Sequence, residues 1–324
     1  MIICRSPLRI VLAAGGCDLP SYYRKFGGFT SNVGINKYVY VSIQNTFEKE
    51  IVLRYSQIER VKNISEIKHP IIREALKLAK INDLNIELTT MTDIPGSSGL
   101  GGSSSFTCAL LKALFKFKNQ TVTPERLAEM ACDLEINILN QKIGKQDQYG
   151  SAISGFNTYI FNKDNSVYIK QLNISKDTIE HLENNLILVP TGIYRSASKM
   201  LEEQDSKTNA LDPAMINNLH YVKELGFKNI DALESGNLYE FGKLMHEYWE
   251  HKKKRSSGIS NSDIDKLYQF GLDNGAVGGK VGGAGGGGMI LFYTEEKAKL
   301  LKALKKADLS YINFNFDYEG TKIL

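Results

Sequence analysis

The chain has 324 residues, of which 42% are hydrophobic and 23% are charged, and its formal net charge is +4. This length suffices for one large domain or two of ordinary size, while the near-neutral charge argues against a nucleic-acid partner. No apolar run approaches the roughly 20 residues that span a bilayer, and the scattered cysteines, without a Cys-x-x-Cys pair, are typical of a reducing cytosol. We therefore expect a soluble cytoplasmic protein with no membrane partner.

The first predicted strand covers residues 2–12 and leads into small residues that end at Asp18. Because Gly15 and Gly16 carry no side chains, Asp18 could reach a ligand beside bare backbone. A turn in which Asp18 bonds its own backbone explains the same residues equally well. This stretch alone leaves both interpretations open.

A glycine- and serine-rich stretch, Pro95–Ser105, follows a predicted strand over 86–94 and precedes a segment with helical period. Glycine lets the backbone come close to a ligand, and the free N–H groups at a helix start attract anions. We therefore predict a phosphate cradle in preference to an ordinary loop with Ser103 as helix N-cap.

Downstream of this cradle, Thr123 and Pro124 mark the start of a helix that could run to about Asn140 and that carries Glu135. A polar turn over 144–150, which contains Asp147, ends it. The apolar pattern restarts after residue 183, so that we predict two domains, 1–183 and 184–324.

The other elements are predicted from hydrophobic period and turn residues. The first half contains strands over 39–43 and 51–53, a helix over 66–80, and a hairpin of 158–161 with 167–172. The second half contains helices over 195–206, 213–225, 229–235, 237–251 and 295–307, a helix opened by Ser262 and Asp265 as a capping box, and strands over 289–293 and 312–316.

A second glycine-rich run, residues 280–288, contains the pattern G-x-G-x-x-G. That pattern indicates a dinucleotide site only where a strand precedes it and a helix follows, whereas here a strand follows. The motifs of Walker-type nucleotidases and of protein kinases are also missing from the sequence. What remains is one glycine-rich loop in each half of the chain.

Three stretches in this order, Pro7–Asp18, Pro95–Ser105 and Lys280–Gly288, resemble the motifs of the GHMP kinases, a family of small-molecule kinases. The second is the most specific, because Pro-x-x-x-Gly-Leu-Gly-x-Ser-Ser is almost complete. A narrower resemblance, to the heptose 7-phosphate kinases of that family, rests on 5–10, 14–18, 99–105, 146–149 and Trp249 with 252–261. Cys17 and Ser105 depart from the threonine and alanine that are usual at these positions.

The resemblance implies an α+β fold of two domains, an N-terminal ribosomal-S5-like domain and a C-terminal ferredoxin-like α/β sandwich, with the active site between them. It also implies ATP and Mg²⁺ as cofactors. The loop residues that would hold ATP are Pro95, Gly96, Ser97, Ser98, Gly99, Leu100, Gly101, Gly102, Ser103 and Ser104.

The resemblance assigns the reacting groups by position. Ser103 and Glu135 would ligate Mg²⁺, and a solvated helix residue is the less favoured alternative for Glu135. Asp147 would accept the proton of the acceptor hydroxyl or merely orient it, where a capping role is the ordinary alternative. Arg9 would favour the ionised Asp147 and offset charge in the transition state, unless it is a surface residue at a strand end.

The acceptor would contact Gly15, Gly16 and Asp18 through its hydroxyls, and the loop with Gly283 and Gly285 would close over the site. Lys252 and Arg255 would bind a phosphate already on the sugar, unless they are a solvated helix end. The implied reaction converts D-glycero-D-manno-heptose 7-phosphate into the 1,7-bisphosphate at the expense of ATP. Two alternatives to this function stay open: a neutral hexose or fucose as the acceptor, and a non-catalytic protein that binds a metabolite. The oligomeric state also stays open, with a homodimer as one option.

Overall fold

A computed structural model describes residues 1–81, 84–194 and 198–324, without the side chains of 198 and 199. The strands are β1 (Ile2–Ala13), β2 (Gly28–Asn45), β3 (Ile51–Arg54), β4 (Ile58–Val61), β5 (Ile86–Thr92), β6 (Asn157–Phe161), β7 (Val167–Gln171), β8 (Leu186–Pro190), β9 (Ala276–Val281), β10 (Met289–Thr294) and β11 (Lys322–Ile323). The helices are α1 (Pro20–Phe26), α2 (Pro70–Leu78), α3 (Gly102–Phe117), α4 (Pro124–Cys132), α5 (Gln146–Ala152), α6 (Lys176–Asn185), α7 (Ser198–Asn209), α8 (Pro213–Glu234), α9 (Leu238–Lys253), α10 (Ser262–Asp273) and α11 (Lys297–Lys306).

The larger sheet has the order β11-β1-β2-β5-β3-β4, and β6 and β7 extend it from the start of β2. The long strand β2 pairs with β6 through its first residues and with β5 through its last, so that one strand joins two parts of the sheet. Helix α3 packs on β1 and β2. The backbone N–H of Arg9 on β1 donates to the Leu100 carbonyl at 3.0 Å, which ties this strand to the loop before α3.

The smaller sheet has the antiparallel order β8-β10-β9. Its apolar side chains, such as Ile187, Ile290 and Phe292, form a core with Trp249 of α9 and Leu300 of α11. A mixed α/β architecture in two layers therefore follows the family fold expected from the sequence. Within the described ranges, no helix is long and apolar enough to cross a bilayer.

Several predicted elements are confirmed in kind. The hairpin is formed by β6 and β7. Helix α4 begins as predicted, because the Thr123 hydroxyl accepts the Arg126 N–H at 3.3 Å and Pro124 occupies the first turn. The helix predicted to reach residue 140 changes at Asp133, where a π-helical turn, Asp133–Ile138, takes over.

Other predicted boundaries were wrong. Helix α2 begins at Pro70 after a 3₁₀ turn over Ile64–Glu66, because proline suits a first helical turn and not a helix interior. The N-cap of α10 is Asn261, whose side chain accepts two backbone N–H groups, and not Ser262. Instead of a strand over 312–316, Ile312 and Phe316 form isolated bridges.

The two helices predicted over 213–225 and 229–235 are one helix, α8. The helix predicted to begin at residue 195 falls partly outside the described residues, and its described part is α7. The domain boundary near residue 183 stays a prediction. The second sheet opens at Leu186, whereas β11, near residue 322, returns to the first.

Candidate active site

A cavity of about 320 Å³ lies where the first glycine-rich loop, the end of β1 and helices α7 and α9 meet. It is lined by most of the site residues predicted from the sequence: Arg9, Gly15, Gly16, Asp18, Ser97, Ser98, Gly99, Gly101, Gly102, Ser103, Ser104, Asp147, Lys252, Arg255, Gly283 and Gly285. Pro95, Gly96, Leu100 and Glu135 do not line it. The two halves of the chain thus contribute to one cleft.

The glycine-rich loop before α3 leaves the helix N-terminus open. Gly101 is the N-cap with φ of 77°, and it supplies no capping side chain, so that the alternative with Ser103 as N-cap is wrong. Gly99 also has a positive φ, 78°. The first N–H groups of α3 are therefore free to meet an anion, as a phosphate cradle requires.

The second glycine-rich run packs directly against this loop. A Cβ on Gly99 would lie 2.7 Å from the carbonyl carbon of Gly282, and one on Gly283 would lie 2.9 Å from Cα of Gly99. The Met289 N–H donates to the Ser98 carbonyl at 3.0 Å. Glycine is required here because two backbones approach without room for a side chain.

The buried Arg9 and the half-buried Asp147 form an ion pair at the cleft. Arg9 is 2% exposed, and its Nε and Nη2 lie 2.8 Å and 2.7 Å from the same oxygen, Oδ1, of Asp147. Its Nη1 donates to the Gly99 carbonyl at 2.8 Å. Arg9 is therefore no surface residue, and it links Asp147 to the glycine-rich loop. Asp147 lies in the first turn of α5, whereas the sequence predicted a polar turn.

Glu135 lies in the π-helical turn, fully buried beneath Ser103, which excludes the solvated helix position. Its carboxylate accepts hydrogen bonds from Ser103 and Thr107 on Oε1, both at 3.1 Å, and from Ser104 and Gln148 on Oε2, at 2.9 Å and 2.6 Å. Burial raises the pKa of Glu135, and these four donors oppose the rise because they favour the ionised form.

Asp18 is 2% exposed, and its Oδ2 accepts the backbone N–H of Gln146 at 3.0 Å. Burial raises the pKa of Asp18 to about 6, with a smaller contribution from the nearby charge of Asp147, while the Gln146 hydrogen bond opposes the rise. A Cβ on Gly144 would overlap the Asp18 carboxylate. The absence of a side chain at Gly144 therefore makes room for Asp18.

Three cations are buried around the cleft: Lys252, Arg255 and Lys280 are 4%, 3% and 4% exposed. The solvated helix end that Lys252 and Arg255 could have formed is thereby excluded. Lys252 donates to the carbonyls of Val281 and Gly283 at 2.9 Å and 2.6 Å, and Lys280 donates to the Leu12 carbonyl at 2.9 Å.

None of these three cations has a carboxylate partner among the described residues. Burial lowers the pKa of Lys280 to about 7 and that of Lys252 well below its usual value, and neighbouring cations add to both shifts. Buried charges of one sign without partners are costly. The site therefore favours a ligand that supplies negative charge.

Sequence reasoning missed several residues of the cleft wall. Tyr248 donates its hydroxyl to the Gly15 carbonyl at 2.9 Å, and Gln204 donates its amide to the Gly16 carbonyl at 2.9 Å. Tyr248 lies one helical turn before Lys252 on α9, so its position on the same face could have been inferred. Nothing local in the sequence distinguishes Gln204.

Comparisons with known proteins find matches in both halves of the chain. The family models "GHMP kinases N terminal domain" and "GHMP kinases C terminal" match residues 69–155 and 229–311. The chain is 29% identical to the D-glycero-alpha-D-manno-heptose 7-phosphate kinase of Campylobacter jejuni, over 98% of this chain and 97% of that protein. It is 30% identical to the mevalonate kinase of Methanocaldococcus jannaschii, over 84% and 88% of the two chains.

Among solved structures, a D-glycero-D-manno-heptose 1-phosphate kinase from Bacteriodes thetaiotaomicron superposes with a TM-score of 0.83 at 25% identity. The match covers 100% of this chain and 99% of that one. Both the sequence likeness and the structural likeness therefore extend over both halves of the cleft.

Proposed function

Because this chain belongs to the GHMP kinase family and is an ATP-dependent sugar kinase, we propose that its acceptor is D-glycero-D-manno-heptose 7-phosphate and its product the 1,7-bisphosphate. The observation that carries the proposal is the pair of buried cations, Lys252 and Arg255, which line the same cleft as Asp147 and have no carboxylate partner in the described ranges. With a neutral sugar, Arg255 would stay buried without an anionic partner and Lys252 would favour its neutral form, whereas a sugar phosphate supplies the anion that pairs with both cations.

The proposed transfer uses the cleft as a positioning device. Phosphoryl transfer needs alignment and charge stabilisation more than covalent help from the protein. The open N-terminus of α3 holds the nucleotide phosphates, and Asp147 receives the anomeric hydroxyl. Since Arg9 occupies Oδ1 of Asp147, Oδ2 is the oxygen that accepts the hydrogen bond from the acceptor. Arg9 also brings positive charge next to the transferred group.

We assign the Mg²⁺ ligands to Ser103, which lines the cleft, and to Glu135, whose buried carboxylate lies directly beneath it. Adjacent ligands of an octahedral Mg²⁺ lie about 3 Å apart, given metal–oxygen distances of about 2.1 Å, and Ser103 Oγ lies 3.1 Å from Glu135 Oε1. Nucleotide phosphates and water would supply the remaining ligands, because Mg²⁺ keeps several waters and binds through one or two carboxylates. When bound, Mg²⁺ supplies charge neutralisation of these phosphates. Thr107 and Gln148 hold the Glu135 carboxylate in place beneath Ser103.

The test is a panel of acceptors with ATP and Mg²⁺: heptose 7-phosphate, heptose 1-phosphate, unphosphorylated heptose, galactose and fucose. We expect kcat/KM for heptose 7-phosphate to exceed that for the unphosphorylated heptose by at least about 100-fold, because buried polar groups that lose their partner discriminate strongly. Phosphorus NMR of the product should show a new signal coupled to the anomeric proton while the original phosphate is retained.

A matched pair of variants locates the discrimination. Arg255→Met removes a buried cation, whereas Lys254→Met removes an exposed cation at the preceding position. Only Arg255→Met should lower the preference for the phosphorylated heptose. Higher activity on a neutral sugar would overturn the acceptor assignment and leave the kinase class unchanged. If heptose 1-phosphate were the best acceptor, the transferred phosphate would go to a hydroxyl other than the anomeric one, and the acceptor assignment would be wrong.

A further inference from the structure

Arg255 is held entirely by neutral groups. Its Nη1 donates to the Gly15 carbonyl at 3.0 Å, and its Nε donates to the side-chain oxygen of Asn218 at 2.9 Å. Its Nη2 is buried and has no hydrogen-bond partner within the part of the chain that the structure describes. The guanidinium therefore has a fixed place and keeps its full charge.

The backbone beside Arg255 leaves little freedom to the guanidinium. A Cβ on Gly16 would overlap Nη1, and the Tyr248 ring lies 5.7 Å from the guanidinium carbon. Gly16 and Tyr248 confine two sides of the group. The hydrogen bond from Nε to the Asn218 side-chain oxygen opposes rotation of the group between them, and the Tyr248 hydroxyl also interacts with the guanidinium.

Asn218 is itself oriented by a second hydrogen bond. Its Nδ2 donates to the backbone carbonyl of His251 near the end of α9, at 2.8 Å. If the amide were flipped, its NH₂ group would face the Arg255 Nε–H and its oxygen would face a carbonyl, so both hydrogen bonds would be lost. The amide thus presents its oxygen to Arg255 in one orientation only.

Asn218 does not line the catalytic cleft. It lines a separate outer cavity of about 390 Å³, together with Asn217, Lys254 and His251, and Arg255 forms the wall between the two cavities. A ligand in the cleft would therefore meet Arg255 and not Asn218. Any influence of Asn218 on the acceptor has to pass through the guanidinium.

We propose that Asn218 is a positioning residue that holds Arg255 in the orientation that binds the phosphate of the acceptor, and that it thereby determines the preference for a phosphorylated sugar. This inference rests on the proposed function. An amide suits the role better than a carboxylate would, because an aspartate at this position would pair with Arg255 and compete with the ligand phosphate. The oxygens of Gly15 and Asn218 that accept from the guanidinium are likewise neutral, so that they do not compete with the ligand phosphate for its charge.

The experiment compares Asn218→Leu, which removes the acceptor oxygen at similar volume, with Asn218→Asp, which keeps an acceptor and neutralises Arg255. Asn217→Leu is the matched control, because Asn217 is exposed, lines the outer cavity and has no contact with Arg255 in the described hydrogen bonds. We expect both Asn218 variants to raise KM for heptose 7-phosphate by about tenfold. The values of kcat and KM for ATP, and KM for unphosphorylated heptose, should stay within about twofold.

A double-mutant cycle separates positioning from a structural effect. In an Arg255→Met background, Asn218→Leu should change KM for heptose 7-phosphate by less than about twofold, since the group it positions is gone. An equal effect with and without Arg255, or an unchanged KM in Asn218→Leu, would overturn the inference. If Asn218→Leu does not fold, the same cycle with Asn218→Asp decides.

The outcome also distinguishes this inference from the proposed function. A wild-type protein that phosphorylates no sugar phosphate overturns both. A wild-type protein that prefers heptose 7-phosphate while the cycle is additive leaves the proposed function in place and overturns only the role of Asn218.

Discussion

Arg9 directs two of its N–H groups to a single oxygen of Asp147, Oδ1, so that Oδ2 has no partner among the described residues. The same guanidinium reaches the carbonyl of Gly99 with its third nitrogen. One side chain therefore sets the distance between the carboxylate and the loop that we propose as the site of the nucleotide phosphates. This relationship makes both residues direct targets for testing the mechanism.

Asp147→Asn should lower kcat by about 10² to 10⁴, because an amide cannot accept the hydroxyl proton and removes the charge opposite Arg9. KM for ATP should change by less than about threefold, since Asp147 is not part of the glycine-rich loop. Steady-state kinetics with saturating heptose 7-phosphate measure both values. Normal turnover in this variant would end the catalytic assignment of Asp147.

Arg9→Lys should reduce kcat by about tenfold or more, because an ammonium group cannot make the paired contacts with Asp147 and the contact with Gly99 together. Arg5→Lys is the control, since Arg5 lies on the same strand and pairs with Glu319 at the surface. The comparison uses single-turnover rates with ATP bound. Equal rates in the two variants would contradict the role given to Arg9.

Gly144→Ala should raise KM for the acceptor by about tenfold or more, because the new methyl group displaces the Asp18 carboxylate. Gly258→Ala, where the methyl group would lie 3.6 Å from Met200, is the matched control and should behave as wild type. KM for ATP should be unchanged in both. A wild-type acceptor KM in Gly144→Ala would show that Asp18 does not contact the sugar.

The pKa of Asp18 predicts a pH dependence with a defined sign. Burial raises this pKa from 3.8 to about 6, so that acceptor binding that requires the carboxylate should weaken as the pH falls through about 6. KM for heptose 7-phosphate measured from about pH 5 to pH 8 should show this limb in the wild type. In Asp18→Asn, KM should be high throughout and the limb should be missing.

The same shift predicts an effect on stability in the opposite direction. Because the folded protein holds the Asp18 proton more tightly than the unfolded chain, the contribution of Asp18 to the free energy of unfolding should fall as the pH rises from about 4 to about 6, by up to about 3 kcal/mol. Asp18→Asn cannot titrate at this position. Denaturant unfolding measures the free energy of unfolding of both proteins across this range. The value for the wild type minus that for Asp18→Asn should therefore fall as the pH rises, and a constant difference would contradict the shift.

Glu135→Gln should weaken the binding of Mn²⁺, used as a spectroscopic substitute for Mg²⁺, by about tenfold in the presence of a non-hydrolysable ATP analogue. Asp133→Asn is the control, because Asp133 is exposed in the same π-helical turn. Electron paramagnetic resonance measures the bound metal without turnover. Equal Mn²⁺ affinity in the two variants would remove Glu135 from the metal site.

The glycine-rich loop before α3 could be predicted because its chemistry is contained in consecutive residues. A strand, several glycines and a helix start suffice to infer free N–H groups, and no distant residue is needed. Arg9 and Asp147, by contrast, lie 138 residues apart, and their pairing was implied by family resemblance and not by the residues themselves. Asn218 gave no local signal, and Lys280 was recognised only as the first residue of the second glycine-rich run, because the roles of both arise from contacts between distant elements.

Two errors of secondary structure have different local causes. Gly226 lies between the two predicted helices, yet α8 continues through it. A Cβ at this position would lie 2.5 Å from the Ala14 side chain. Glycine at this position permits close packing and does not end the helix. The N-cap of α10 was predicted at Ser262 and lies at Asn261. Both residue types cap helices, and only the backbone conformation determines which of two neighbours is the cap.

The contact between Gly99 and the 282–283 backbone also bears on how the cleft releases its products. Surfaces without side chains bury little apolar area, so that this seam adheres weakly and is held by a main-chain hydrogen bond worth about 1 kcal/mol. Around Gly15 and Gly16, by contrast, Tyr248, Gln204 and Arg255 cross-link the two halves of the molecule. We expect any separation of the halves to begin at the glycine seam, which would open the proposed nucleotide site first.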